Sequence, residues 1–336
     1  MMGLPRIGIA ACGGTIAATA DGGGTATPRL GAADLLDAAP WLRDIADPQA
    51  RTVMTKASPD ITVDDTVRLH DELVAFVRDE RLDGVVVTSG TDTLEEVAFT
   101  VDLLWDSDVP LVVTGAIRNA SKPGADGPAN LTAAVATAAS AAARGLGALV
   151  VLNDQVHAAR YARKGNSGNV AAFVSPTVGP LGYLAEGVPV IPLRVSRTPR
   201  VDPPVLPVSA AVALLTTFMG DDGALLPAVA SGGFAGLVVA GFGGGHVPAA
   251  FAEHPAFAQL LDSVPVVLAS RANAGEPLRA TYSGFSGSET ELARRGVISA
   301  GCLDAPKARV LLTLLAAAGE PPERVRAAFR RFSALP

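Results

Sequence analysis

Runs in which every residue is apolar, rather than every second one, constrain this chain more than any other feature. Residues 7–11 (IGIAA), Gly84–Thr88 (GVVVT), Leu111–Thr114 (LVVT) and Ala148–Leu152 (ALVVL) are of this kind, with helical patterns between them. A strand covered on one face alternates apolar with polar residues, whereas a strand covered on both faces by helices does not. The intervening helices carry their own signals. Thr62 followed by Asp64 and Asp65 reads as a helix start, and Val63, Val67, Val74 and Val77 recur at spacings that share one face. Further helices are expected over 92–104 and 129–143. Strand–helix–strand repetition implies a parallel sheet with right-handed crossovers.

The pattern changes where prolines crowd. Pro189, Pro192, Pro199, Pro203, Pro204 and Pro207 are too dense for an ordinary helix or central strand. Beyond them a second series appears, with strands at 236–240 and 266–269 and helices near 249–261, from Lys307, and at 323–332 behind Pro321-Pro322. The expected architecture is therefore α/β in two domains. A larger N-terminal domain, 1–190, holds a parallel sheet with flanking helices. A proline-rich linker, 191–225, leads to a smaller C-terminal α/β domain, 226–336. The full 336 residues are ample for two cores.

Several function classes fall away. With 27 basic and 33 acidic residues the formal charge is −6, so no basic field invites nucleic acid or an anionic membrane surface. Cys12 and Cys302 cannot build a disulfide framework, and the four histidines are dispersed, so neither metal nor cofactor is expected. The longest apolar runs fall well short of the ~20 residues of a membrane-spanning helix. The start of the chain lacks an export signal, which leads us to expect a cytoplasmic protein. Gly241-Phe242-Gly243-Gly244-Gly245-His246 faintly resembles a dinucleotide fingerprint, but His246 stands where the third glycine belongs and no acidic residue follows at the usual spacing. No phosphate loop and no nucleophile elbow occurs.

In open parallel sheets, ligands bind outside the carboxyl ends of the strands. The residues at those ends are Cys12-Gly13-Gly14-Thr15-Ile16-Ala17, then Ser89-Gly90-Thr91-Asp92-Thr93-Leu94-Glu95-Glu96, then Gly115-Ala116-Ile117-Arg118 followed by Ala125-Asp126-Gly127-Pro128-Ala129-Asn130-Leu131. Two threonines flanked by glycines would meet on one rim, one of them followed directly by an aspartate. Each threonine could equally be a helix cap. The glycines would let a ligand approach backbone N–H groups, and a helix N-terminus favours a carboxylate or oxyanion.

Taken together, these stretches resemble the bacterial-type asparaginase family, which includes glutaminase-asparaginases. Val151-Leu152-Asn153-Asp154, Arg160, Lys164 and Lys307-Ala308-Arg309-Val310 also match, so the resemblance spans essentially the whole chain. It implies that Thr15 is the nucleophile that attacks a side-chain amide to give an acyl-enzyme. Thr91, Asp92 and Lys164 match the family's second catalytic group, in which a lysine accepts a proton through a threonine hydroxyl from the attacking water. Asp92 would hold the substrate's α-ammonium, kept ionised by its place at a helix start. Ser58 matches the residue that binds the α-carboxylate, and backbone groups at Thr91 and Ala116 would surround the scissile amide. The interval from Glu289 to Lys307 matches a glutamate supplied to the α-ammonium by a neighbouring subunit, which implies an intimate dimer and a tetramer built from two of them.

The chain also departs from that pattern. Family members carry a tyrosine on the loop after the nucleophile, whereas residues 18–30 contain none and the first tyrosine is Tyr161. Tyr282, a few residues before Glu289, is the candidate substitute. Pro59 follows Ser58 where glutamine is common, Gly244 stands where asparagine is frequent, and Ser89 precedes Gly90 where histidine often lies. The expected activity is hydrolysis of L-asparagine to L-aspartate and ammonia. The alternatives are a glutaminase-asparaginase, a glutaminase subunit of a tRNA amidotransferase, and a non-catalytic amino-acid-binding homologue.

Overall fold

The computed structural model describes residues 3–20, 26–28 and 30–333. The chain divides into two compact units, Met1–Arg200 and Val201–Pro336. Strand Val212–Thr216, which falls inside the span expected as linker, belongs to the second unit. The proline-rich stretch itself, 191–211, has no regular structure.

The first unit is built on an eight-stranded sheet. Strand Arg6–Gly13 pairs in parallel with Asp47–Lys56 on one side and Gly84–Thr88 on the other; Leu111–Thr114 and Ala148–Leu152 continue the parallel series. Ile9 stands opposite Ala50 and Val86, and Thr88 opposite Ala11 and Thr114. The fully apolar strands are buried on both faces, as their pattern requires. Val86, Val112 and Val151 point into one core with Leu131, Ala134 and Val135, whereas Val85, Val87 and Val150 point into another with Leu69, Leu73 and Phe76.

Because the chain leaves Arg6–Gly13 first to one side and later returns to the other, the crossovers diverge at that strand. Such a switch point opens a crevice beyond the strand's carboxyl end. Thr15 and Thr91 follow the two strands that bound it.

The expected parallel sheet is present, and one edge of it adds antiparallel strands. After Leu152 the chain reverses through Asn153 and Asp154, both left-handed (φ 49 and 57°), into antiparallel Gln155–Ala158, and Gly182–Ala185 and Val188–Val190 extend that edge. A two-residue turn with both φ positive suits a tight hairpin. The helix stripe is also displaced. Helix Val63–Glu80 starts at Thr62 as expected, with the Asp65 N–H donating to the Thr62 hydroxyl and Asp65 Oδ2 accepting the Thr62 N–H. Its buried face runs through Thr66, Val67, Leu69, His70, Leu73 and Phe76, so of the expected valines Val67 is buried whereas Val74 is 45% exposed. Leucine and phenylalanine cover more core than valine and turn the helix toward themselves.

In the second unit four parallel strands lie in chain order: Val212–Thr216, Gly236–Gly241, Val266–Ser270 and Ile298–Ser299. Helix Ala305–Ala317 packs on this sheet, and helix Pro322–Arg330 begins at the expected proline pair. The helix expected near 249–261 is two, Ala249–Glu253 and Pro255–Ser263, because Pro255 starts a new helix after the extended His254.

Candidate active site

Glycines bring the strand ends of the first unit together. A Cβ on Gly14 would lie 2.2 Å from both the Cα and the N of Gly90, and one on Gly90 would lie 2.6 Å from Ser58 Cβ. One on Gly115 would come within 2.5 Å of the Ser89 carbonyl oxygen and 3.2 Å of Thr91 Cγ2. No side chain fits between these backbones, so the chain segments that carry Thr15 and Thr91, each one residue past a glycine of the closest pair, meet at that contact. Gly14 also adopts φ +82°, which glycine alone reaches without strain. Thr15 then opens a single helical turn, Thr15–Ala17, whose Ile16 lies against Gly127 beside buried Ala116.

A polar chain leads away from Thr91. Lys164 Nζ donates to Thr91 Oγ1 at 3.0 Å and to Asp92 Oδ1 at 2.7 Å, and Ser58 Oγ donates to Asp92 Oδ2 at 3.3 Å. Thr91 and Ser58 are buried, whereas the Asp92 side chain is 61% exposed and open to a ligand. The Asp92 carboxyl is held below its ordinary pKa chiefly by the hydrogen bond from Lys164, with partial burial opposing and the Lys164 charge and Ser58 adding to the effect. The expectation named the helix start as what keeps Asp92 ionised, and the Lys164 bond acts in the same direction. Ser58, Thr91, Asp92 and Lys164 thus form one connected group beside Thr15, and Ala116 lines the next strand end. The arrangement offers two hydroxyls, a lysine on one of them and an exposed carboxylate for a cation.

Three supporting residues were quoted in the sequence motifs without a role. Glu95, in the first turn of helix Leu94–Leu104, accepts the backbone N–H of Lys164 and so fixes the short strand Arg163–Lys164, which pairs with Phe173–Val174. Asp126 accepts the N–H groups of Ile117 and Arg118 at 3.0 and 2.7 Å. Asn130 Nδ2 donates to the Gly115 carbonyl at 3.0 Å, and its Oδ1 accepts the Asn153 N–H at 2.9 Å. Asp126 and Asn130 sit one turn apart at the start of helix Gly127–Ala139, and that spacing is the signal that could have assigned them to the Ala116 loop.

The other two candidates lie in the second unit. Glu289 opens helix Glu289–Arg294 and is buried, and Tyr282 is half-exposed with its ring edge-on to His246 at 5.1 Å. The loop lacking a tyrosine, 18–30, falls in part outside the described residues. Among the described residues no group of three His, Cys, Asp or Glu side chains is arranged to hold a metal ion, and no helix is long and apolar enough to cross a membrane.

Fold and site together define a two-domain α/β protein with paired threonines at the switch point of a parallel sheet. Comparison with known proteins gives that class its family. Residues 6–194 match the family model "Asparaginase, N-terminal", and residues 211–329 match "Glutaminase/Asparaginase C-terminal domain". L-asparaginase 2 of Escherichia coli (strain K12) is 33% identical over 345 residues, covering 98% of this chain and 94% of that protein. L-asparaginase 2 of Bacillus subtilis (strain 168) is 32% identical over 338 residues, covering 98% and 87%. The crystal structure of a probable cytoplasmic L-asparaginase from Campylobacter jejuni superposes with a TM-score of 0.84 at 32% identity, covering 97% of this chain and 99% of that one. The chain belongs to the bacterial-type asparaginase family.

Proposed function

We propose that this protein hydrolyses the side-chain amide of L-asparagine to L-aspartate and ammonia through an acyl-enzyme on Thr15. The observation that carries the reading is the backbone contact of Gly14 with Gly90, which sets Thr15 beside a Thr91 already hydrogen-bonded to Lys164. In acylation the Thr15 hydroxyl oxygen attacks the amide carbon, its proton goes to the leaving nitrogen, and ammonia departs. Backbone N–H groups at Thr91 and Ala116 would receive the oxyanion, where such donors typically contribute about 3–4 kcal/mol. In deacylation water attacks the ester carbon, its proton passes through the Thr91 hydroxyl to Lys164, and as the ester C–O bond breaks a proton returns to the departing oxygen and restores the Thr15 hydroxyl. The α-ammonium takes Asp92 as its partner, which leaves Lys164 to Thr91, and Ser58 faces the α-carboxylate.

Glu289 of a partner subunit would complete the ammonium site, so the working form is an oligomer built from intimate dimers, a tetramer as two of them. Tyr282 from the same loop is the proposed substitute for the absent tyrosine. A cytoplasmic location is in keeping with the similarity to the probable cytoplasmic L-asparaginase of Campylobacter jejuni. Glutamine as a second substrate agrees with the description of the C-terminal family model, since one methylene discriminates by only roughly 1–3 kcal/mol. The test is ammonia release by the purified chain from L-asparagine, with L-glutamine and D-asparagine in parallel. Release from L-asparagine supports the reading; tight binding of asparagine without ammonia release would establish the amino-acid-binding alternative.

A further inference from the structure

The glycine-rich turn that resembled a dinucleotide fingerprint holds a histidine that the mechanism above does not use. His246 closes the turn by accepting the Phe242 N–H on its carbonyl at 2.8 Å, and its ring folds back over Gly244, where a Cβ would lie 2.8 Å from Cε1 and 3.3 Å from Nδ1. Two aromatic edges fix the ring from other sides, Tyr282 at 5.1 Å and 88° and Phe285 at 5.6 Å and 76°. So confined, the ring points Nε2 at Glu289 Oε2, 2.9 Å away.

Glu289 is unusually committed. Its side chain is 1% exposed, and its Oε1 accepts the N–H groups of Thr281 and Tyr282 at 2.8 and 2.5 Å. Burial alone would raise its pKa, but the N–H groups of Tyr282, Glu289 itself and Thr281, with His246, hold it below the ordinary carboxylate range. An ionised carboxylate only accepts, so Nε2 of His246 carries the hydrogen of this bond. The Thr281 and Tyr282 N–H groups both bond Oε1, and His246 is the side chain that bonds Oε2.

We infer that His246 is a positioning residue for Glu289, whose Nε2–H holds Oε2 and so orients the carboxylate toward a primary ammonium group of the substrate. The inference rests on the reading of Glu289 as an ammonium-binding residue and deepens it. The space over Gly244 is part of the device, because a side chain there would displace the ring. Without the imidazole donor, a buried oxygen loses a charge-assisted partner, and the carboxylate is free to turn away from the ammonium.

The test compares two ligands that differ only in the amine, L-aspartate and succinate, bound to the full-length protein and followed by calorimetry. His246→Phe keeps a ring between Tyr282 and Phe285 and removes the donor. It is expected to weaken L-aspartate about tenfold and leave succinate within about twofold, in line with the loss of one hydrogen bond to a charged group. His246→Gln returns an N–H donor and restores most of the L-aspartate affinity. In turnover His246→Phe raises KM for asparagine with kcat little changed. Equal losses for both ligands would make the role merely structural and overturn the inference, as would unchanged L-aspartate binding in a folded His246→Phe. Glu289→Gln separates the two levels. If it too leaves L-aspartate binding unchanged, the ammonium role of Glu289 fails and takes the inference with it; if it weakens L-aspartate selectively while His246→Phe does not, only the inference falls.

Discussion

Replacing Gly90 by alanine adds one methyl group at the contact that aligns the two threonines. Gly90 does not need a left-handed backbone, so the cost is steric alone. The new Cβ would stand 2.6 Å from Ser58 Cβ, 2.7 Å from Ser58 Oγ and 3.0 Å from Gly14 Cα. Carbon atoms rest at about 3.5–4.0 Å, so each of these neighbours must retreat by roughly half an ångström to an ångström. Gly14 cannot rotate aside, because its amide donates to the Lys56 carbonyl at 3.2 Å. Ser58 is equally tied, since Thr93 Oγ1 donates to its carbonyl at 2.9 Å. The strain therefore opens the distance between Thr15 and Thr91. Overpacking of this kind costs about 1–3 kcal/mol in stability, and a displacement of about 1 Å at a reacting centre costs roughly a hundredfold in rate. Gly168→Ala is the control, because a Cβ there meets nothing within 4 Å. Steady-state asparaginase assays and thermal melts read both effects. A Gly90→Ala protein with the parent's kcat and melting temperature would refute the argument that this contact aligns the site.

Other substitutions probe separate links. Lys164→Met keeps an apolar stem and removes the Nζ contacts at 3.0 and 2.7 Å, so kcat for asparagine should fall at least a hundredfold with little change in melting temperature; parental turnover would remove the lysine from the mechanism. Tyr282→Phe should slow acylation and leave asparagine binding intact, which single-turnover kinetics would read as a smaller ammonia burst; an unchanged burst excludes Tyr282 as the missing proton handler. Asp102 is buried in helix Leu94–Leu104, accepts the Ala148 N–H at 2.7 Å, and is pushed up to about 6, chiefly by burial, against an ordinary 3.8. A raised carboxyl pKa stabilises the fold below its ordinary value and loses that contribution as pH rises through the folded value. Asp102→Asn should therefore gain on the parent by up to about 3 kcal/mol between about pH 4 and 7 in urea unfolding, at roughly 1.4 kcal/mol per pH unit; a pH-independent difference would contradict this.

The parallel strands were legible because a strand buried on both faces has to be apolar along its length, as Val85, Val86 and Val87 are in Gly84–Thr88. The antiparallel edge was not, since Asn153-Asp154 is a weaker turn signal than a pair ending in glycine, and only their positive φ angles reveal the hairpin. Proline density hid Val212–Thr216, five residues that pair fully with Gly236–Gly241 once the chain is past Pro207. At the site, Thr15, Ser58, Thr91, Asp92 and Lys164 were found through resemblance. Composition and periodicity alone left both threonines as possible helix caps. The bond between His246 and Glu289 joins residues far apart in the chain, and a long-range contact between two loops leaves no periodic trace. Asp102 was missed for the opposite reason: a lone acid within a helix reads as a solvated face, and only the fold shows it buried at 3% exposure.

The central claim is that Thr15 carries the acyl group and Thr91 serves its removal. Thr91→Val removes the hydroxyl that links water to Lys164 and leaves Thr15 untouched, so asparagine should acylate this variant and stall. Quenched-flow mass spectrometry of Thr91→Val mixed with asparagine is predicted to find one aspartyl group esterified to the peptide that contains Thr15, formed together with one equivalent of ammonia per site and absent from Thr15→Ala. An adduct on another residue, or continued ammonia release by Thr15→Ala, would contradict the account.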